Sequence, residues 1–198
     1  MSAHSRDVID RFCELCDWLM QVWQLRKFLF DGNPDEAALK KPRHAHFFYR
    51  LQVVLQESWL HQLAKLHDRA VQGGGKGHIN QSIDYIIEYG QWDHKTKGEL
   101  VNLQSDMEKL AKPIRDARNK TLAHTDLAVL LASRELGSFD PGDDEAYFIK
   151  LPEFASLVRQ TALGEPYVYG NLVKNDVAVF MQTFLRGDGA EPVPAPPT

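Results

Sequence analysis

A chain of 198 residues with 43% hydrophobic residues, 25% charged residues and a formal net charge of −4 has the balance of a globular protein, not of a disordered or fibrous one. The acidic total excludes polyanion binding by bulk charge, so that any nucleic-acid site must be a local patch. The chain shows no apolar run near the roughly 18 residues of a membrane span, no signal-peptide pattern and only two cysteines, so we expect a cytoplasmic protein without a membrane partner.

Apolar residues recur at helical spacing through the first third of the chain. The pattern predicts a long helix from Asp7 to Phe30, the turn DGNPDE at 31–36, and a second long helix from about Arg43 to Gln72. The run GGGKG (73–77) lacks the residues that a phosphate loop needs and has no strand before it. We interpret it as a link between helices.

The remainder of the chain is also predicted to be helical. Five further helices are expected at about 80–89, 92–123, 127–135, 152–161 and 172–185. Residues 138–147 are expected to form a loop, while 147–151 and 167–169 form short extended pieces at most. The predicted fold is all-α, an up-and-down helical bundle with short peripheral helices, in a domain at 5–186 with a flexible proline-rich tail at 187–198.

The helix predicted over 92–123 carries a heptad-like apolar seam, with Pro113 expected to bend or break it. The seam consists of Leu100, Leu103, Met107, Leu110, Ile114, Ala117, Thr121 and His124. Arg118 lies about 100° around the helix from Ala117 and about 120° from His124. The two side chains therefore meet only through the reach of arginine, a distorted helix end, or a second copy of the same helix.

Several polar features have a structural and a functional interpretation. Cys13 and Cys16 share one helix face and are expected to be buried thiols, since no second pair completes a metal site. His67 and Asp68 form either a solvated helix end or a support for a nearby polar site. Residues 108–124 hold five cationic and two acidic side chains, a local charge of +3 that suits either phosphate binding or the dipole of a helix end.

The stretch RNKTLAH at 118–124 resembles the R-x(4–6)-H motif of HEPN domains, which are helical bundles. The order of a long helix ending in ESWLHQLAKLHDRA, a loop, HINQSIDYII and the motif helix resembles the AbiU-like branch of that superfamily. The resemblance covers about residues 5–185, and its specific motif lies within 115–126.

The resemblance implies a metal-independent endoribonuclease whose motif helices meet in a homodimer, without a cofactor. It assigns acid–base catalysis to His124, charge stabilisation to Arg118 and positioning to Asn119. Residues expected to contact RNA are Lys112, Arg115 and Lys120, and those expected to support the site are Asp68 and Asp126.

The resemblance also suggests an antitoxin or another partner in phage defence. Because HTDLA (124–128) has no tyrosine, control by an antitoxin that modifies such a residue is not expected. The alternative function is a non-catalytic helical interaction or RNA-binding module.

Overall fold

The computed structural model of the chain describes residues 5–72, 78–117, 142–170 and 172–188. These residues form helices and one short antiparallel hairpin, and the predicted all-α class is confirmed. The helices are α1 (Arg6–Phe30), α2 (Glu36–Leu39), α3 (Pro42–Leu66), α4 (Ile83–Tyr89), α5 (His94–Ala117), α6 (Asp143–Leu163) and α7 (Leu172–Asp188). The hairpin pairs β1 (Val71–Gln72) with β2 (His78–Ile79).

Helix α3 ends at Leu66, so the prediction that it continues to about Gln72 was wrong. The backbone after it bonds to other parts of the chain. The N–H of Ala70 donates to Oδ2 of Asp84 at 2.9 Å, and the carbonyl of Ala70 accepts from the N–H of Asn80 at 2.9 Å. These long-range bonds replace the helical ladder, and the adjoining hairpin was not predicted.

Helix α6 begins at Asp143, and the predicted loop at 138–147 was therefore wrong over its last five residues. The predicted extended piece at 147–151 is helical as well. The first turn carries three acidic residues, which the positive end of the helix dipole stabilises. Pro152 lies inside the helix rather than in its first turn. The buried face of α6 consists of Tyr147, Phe148, Leu151, Phe154, Ala155 and Val158.

The chain divides into two compact units, which we call unit 1 (1–20 and 57–169) and unit 2 (21–56 and 170–198). The single domain expected at 5–186 and the tail expected at 187–198 remain predictions. The described part of α7 ends at Asp188. No described helix has both the length and the apolar character that crossing a membrane requires.

In unit 1, α6 packs antiparallel to the first half of α1. The Phe12 and Phe154 rings meet edge to face with centroids 5.8 Å apart, and Arg6 pairs with Glu165 at 2.8 Å. Rising residue numbers on α1 therefore match falling numbers on α6. Helix α5 packs on α6 as well, and Nζ of Lys150 lies 3.0 Å from Oδ2 of Asp106.

In unit 2, the end of α1 is held by Asn33, whose side-chain amide donates to the carbonyls of Phe28 and Leu29 at 3.1 and 3.2 Å. These bonds satisfy two carbonyls that the helix end leaves without partners. The core of the unit is formed by Leu29, Phe30, Leu39, Phe48, Leu55, Val177 and Met181. Unit 2 thus has an aliphatic and aromatic core of its own.

Candidate functional site

The predicted catalytic motif begins at the residue after the described end of α5, Ala117. The predicted site residues Arg118, Asn119, Lys120, His124 and Asp126 lie outside the described residues, as does the helix predicted at 127–135. Arg115 lies in the last turn of α5, where the backbone alone is described. The structure thus describes the helix that leads into the motif and the groups that fix that helix.

Helix α5 begins at a side-chain cap. Oδ1 of Asp93 accepts from the N–H groups of Lys95 and Thr96 at 2.9 and 3.0 Å, and the Thr96 hydroxyl donates to Oδ2 at 2.6 Å. These bonds lower the pKa of the Asp93 carboxyl, with the hydroxyl of Thr96 as the largest cause. The carboxylate satisfies N–H groups that have no partner within the helix.

The buried face of α5 differs in part from the predicted seam. Leu100 and Met107 are fully buried as predicted, and Ala111 is buried with them. Leu103 and Leu110 are only half-buried. The observed buried face of α5 is therefore offset around the helix from the predicted seam that ends at His124. Pro113 is exposed, and α5 runs through it to Ala117 rather than breaking there.

The positive charge of the motif helix is partly offset by Asp106. This residue lies just outside 108–124, the range over which the charge of +3 was counted. Nζ of Lys109 lies 3.1 Å from Oδ1 of Asp106, one turn earlier, and Lys150 of α6 contacts the other oxygen. Hydrogen bonds from Lys150 and then from Lys109 lower the pKa of the Asp106 carboxyl. Lys112 is exposed in the last turns of α5, so of the predicted RNA contacts it is the one whose side chain is described.

A buried polar cluster joins three segments of unit 1 just before the motif. It consists of His67, which follows α3, Glu108 of α5 and Tyr147 of α6. Nδ1 of His67 lies 2.9 Å from Oε2 of Glu108, and Nε2 lies 3.0 Å from the hydroxyl of Tyr147. The side chain of His67 is 1% exposed and that of Glu108 is 37% exposed, so the cluster runs from the core towards solvent.

The protons of this cluster follow from its chemistry. Burial, followed by the charges of Cys16 and Glu108, raises the pKa of the Tyr147 phenol well above its usual value. Tyr147 therefore keeps its proton, and its hydroxyl shares a hydrogen bond with Nε2 while Nδ1 shares one with the Glu108 carboxylate. The histidine orders the end of α3 against α5 and α6. Glu108 lies ten positions before Arg118 in the chain.

His67 is thus not a solvated helix end but a member of a buried polar cluster. Asp68 is half-buried and lines a cleft of about 350 Å³ together with Gln62, Lys65 and Asn80. The cleft lies within unit 1. The role of Asp68 as a support for the motif remains a prediction.

Cys13 and Cys16 are fully buried, as predicted. Burial raises the pKa of the Cys13 thiol to about 11, against the opposing charge of Arg159. Burial likewise raises the pKa of the Cys16 thiol well above its usual value. Across the part of the chain that the structure describes, no group of three or more histidine, cysteine or acidic side chains is arranged to hold a metal ion.

The AbiU2 family model matches residues 3–179. The chain belongs to the AbiU2 family of HEPN domains. The AbiU2 match spans the described helices α1–α6, the first eight residues of α7, and the stretch RNKTLAH. The comparison with curated proteins and the comparison with solved structures give no match to the chain.

Sequence reasoning missed two members of the buried cluster in this AbiU2 chain. Glu108 was counted only as a charge, and Tyr147 was assigned to an extended piece. A signal for Glu108 was available, because it lies one position after the buried Met107 and so at the edge of the buried face. No local signal marks Tyr147, since its partner His67 is 80 residues away.

Proposed function

We propose that this AbiU2 chain is a metal-independent endoribonuclease that acts as a homodimer. RNA is the proposed substrate and a second copy of the chain is the proposed partner. The proposal rests on one observation: the motif R-N-x4-H at 118–124 lies within the region matched by the HEPN family model, immediately after α5. An antitoxin or another component of phage defence is a further proposed partner.

The proposed reaction uses the nucleophile that RNA itself carries. The 2′-hydroxyl attacks the adjacent phosphorus, the bond to the 5′-oxygen breaks, and the products are a 2′,3′-cyclic phosphate and a 5′-hydroxyl. His124 takes the proton of the 2′-hydroxyl or gives one to the leaving oxygen, because imidazole titrates near neutral pH. Arg118 stabilises the charge that develops on the phosphoryl oxygens, and Asn119 positions the phosphate or hydroxyl by hydrogen bonds.

The described contacts hold α5 in a fixed position, which supports its role as the helix that leads into the motif. The helix is capped by Asp93 at its start and buried along Leu100, Met107 and Ala111. Glu108 bonds it to His67, which follows α3, and Asp106 pairs with Lys150 of α6. A reacting group must be held within a fraction of an ångström of its productive position. Lys112 adds an exposed positive charge near the end of the same helix.

The homodimer part of the proposal follows from the angular separation of Arg118 and His124. On a straight helix the two residues lie about 120° apart, which favours a site assembled from two motif helices over a site on one. A composite site also predicts that a mixture of two inactive variants regains activity. Equal amounts of the Arg118→Ala and His124→Ala proteins, mixed under conditions that allow subunit exchange, should cleave RNA if each copy supplies the residue that the other lacks.

The decisive experiment is cleavage of RNA by the purified protein in the presence of EDTA. The wild type should cleave and leave cyclic phosphate ends, while His124→Ala and Arg118→Ala should lose cleavage and keep the sedimentation coefficient of the wild type. Matched controls are His94→Ala, an exposed histidine at the start of α5, and Arg11→Ala, an exposed arginine of α1. Both controls should retain cleavage.

Cleavage that persists in both motif variants would overturn the catalytic proposal. RNA binding without cleavage in the wild type would instead support the alternative function, a non-catalytic RNA-binding or interaction module. Loss of cleavage in the His94→Ala control would indicate that any change in α5 disables the protein, and the motif would lose its special role.

A further inference from the structure

The start of α3 and the turn before it form a concentrated basic segment in unit 2. Residues 36–57 carry four Lys and Arg side chains and two Glu side chains, a local charge of +2 in a chain of net −4. Lys41, Arg43 and Arg50 are exposed. Lys40 is exposed and contacts Glu36 at 2.7 Å, so part of its charge is already compensated. A surface with this charge favours a polyanionic ligand.

One exposed aromatic ring, that of Phe47, lies between two of these cations on the outward side of α3. Arg43, Phe47, Arg50 and Val54 are spaced by four, three and four positions, which places them in one stripe along the helix. Phe47 is 65% exposed and Val54 is 59% exposed. Tyr49 is 68% exposed but lies about 160° around the helix from Phe47, outside the stripe. A soluble surface rarely exposes several large apolar side chains together without a binding role.

The exposed ring of Phe47 packs against a cluster of other aromatic rings. Its centroid lies 5.1 Å from that of the buried Phe48, which packs on Phe184 and Phe180 of α7 at 5.4 and 6.4 Å. His44 meets Phe184 at 4.9 Å. Because these rings hold one another, a ligand that stacks on Phe47 orders little further protein structure, and binding costs less conformational entropy.

We propose that the outward stripe of α3 binds single-stranded nucleic acid. A base stacks on Phe47, and phosphates contact Arg43 and Arg50. Exposed aromatic rings set between cations are how proteins hold single strands without reading their sequence. The stripe from Arg43 to Arg50 and Val54 spans about 16 Å at 1.5 Å per residue, the length of about five nucleotides of a stacked strand.

Charge decides between a nucleic acid and a second copy of the chain as the occupant. A two-fold contact through this stripe would set Arg43 and Arg50 of one copy against the same arginines of the other. Like charges brought together in this way destabilise an interface. A phosphate chain offers negative charges at regular spacing and bases that cover the exposed rings, and it matches both features of the surface.

The proposed surface contains none of the motif residues 118–124, and binding there does not depend on cleavage. A 2′-O-methyl oligouridine is a suitable probe, since it lacks the free 2′-hydroxyl that the proposed reaction needs. Its fluorescence anisotropy reports binding even if the protein is an active nuclease. Failure of this binding and failure of the proposed nuclease activity are therefore separate results.

Phe47→Ala should weaken binding of the probe about fivefold or more, because stacking of a base on an aromatic ring contributes roughly 1–3 kcal/mol. The matched control is Trp18→Ala, which removes a ring that is 55% exposed on α1 in unit 1 and should leave affinity unchanged. Both variants should unfold at nearly the same urea concentration as the wild type, because substitutions of exposed side chains usually change the free energy of unfolding little.

A plot of log affinity against log salt concentration has a negative slope. The double variant Arg43→Ala/Arg50→Ala should make that slope less steep by about 1.4, since each phosphate contact on a single strand contributes about 0.7 to its magnitude. Lys95→Ala, an equally exposed cation on α5, should leave the slope unchanged. A DNA oligonucleotide of matching sequence should bind in the same way and respond to the same variants, because rings and phosphate contacts do not read the sugar.

Three results would overturn the proposal. The first is unchanged affinity in Phe47→Ala. The second is equal affinity for a duplex, whose bases are not available for stacking. The third is a loss of oligomeric state in Phe47→Ala during sedimentation without nucleic acid, which would identify the stripe as a contact between copies of the chain.

Discussion

The Nδ1 atom of His67 lies 2.9 Å from Oε2 of Glu108 across 41 residues of sequence. The contact joins the residue after α3 to the middle of α5, and the opposite ring nitrogen is hydrogen-bonded to the hydroxyl of Tyr147 of α6. Both nitrogens of a ring that is 1% exposed therefore have partners. Satisfied buried polar groups specify how helices pack, because leaving one of them without a partner costs more than the bond itself contributes.

Tyr147→Phe should lower the free energy of unfolding by about 1–3 kcal/mol, because it removes the hydroxyl that is hydrogen-bonded to Nε2 of the buried His67. The urea midpoint should fall while the dependence on urea concentration stays the same, which marks a change in stability without a change in the surface exposed. The control is Tyr49→Phe, which removes a hydroxyl from a tyrosine that is 68% exposed. An equal effect in both variants would contradict a special role for the buried cluster.

Gly90→Ala should destabilise unit 1 by about 1–3 kcal/mol, as substitutions that overfill a packed site do. A Cβ atom at Gly90 would meet the indole of Trp92 and would lie 2.7 Å from the carbonyl oxygen of Ile86. It would displace the Trp92 ring and break its 2.9 Å hydrogen bond to that carbonyl. Thermal unfolding followed by circular dichroism measures the loss.

Gly98→Ala is the matched substitution for which we expect the opposite sign. A Cβ atom at Gly98 meets no heavy atom within 4 Å, and the residue lies inside α5. Alanine restricts the unfolded chain and favours the helix, which should raise the free energy of unfolding by about 0.5–1 kcal/mol. Two glycine substitutions with the same sign would show that the local surroundings of Gly90 are not the cause.

Asp106→Asn should make the protein less sensitive to acid. Hydrogen bonds from Lys150 and Lys109 lower the pKa of Asp106 below 3.8 in the folded state. The stabilisation is therefore complete above the unfolded value of 3.8 and is lost as pH falls through the lower folded pKa. Urea midpoints measured from neutral to acidic pH should converge for the variant and the wild type at the acidic end.

Lys150→Met tests the same pair from the other side. It removes the first cause of the lowered pKa of Asp106, so it should reduce the acid sensitivity in the same direction as Asp106→Asn. Acid sensitivity equal to that of the wild type in both variants would show that the pair between α5 and α6 contributes nothing to the pH dependence.

Neither thiol of the folded protein should react with a disulfide reagent near neutral pH. Burial raises the pKa of Cys13 to about 11 and that of Cys16 well above its usual value, and the reactive species is the thiolate. Unfolding in urea should release both thiols to the reagent, as measured by absorbance. Full labelling of the native protein would contradict the buried positions of these residues.

Helical periodicity was sufficient to predict much of the fold. The repeat of apolar residues located α1, α5 and α7. One face of each helix must be buried, and the apolar residues of that face recur every three or four positions along the chain. It also predicted that Cys13 and Cys16 are buried, since they share a face with Phe12 and Leu19. The R-N-x4-H motif was visible for a similar reason, as its residues are close together in the chain.

Local pattern did not determine where α3 ends or where α6 begins. The chain after Leu66 leaves the helix because Ala70 bonds to Asp84 and Asn80, which are 14 and 10 positions ahead of it. The start of α6 contains the turn-forming residues that favour a loop, yet Tyr147 and Phe148 are buried there. Burial against distant helices outweighs weak local preference.

The sequence by itself determined the helical class, the family and the motif, since these depend on the identity and spacing of residues near one another. The tertiary structure alone decided that His67, Glu108 and Tyr147 form one buried cluster and that the rings of Phe47, Phe48 and Phe184 pack against one another. Such groupings depend on which faces of separate helices meet. That choice is made by the packing of the whole core rather than by any one segment.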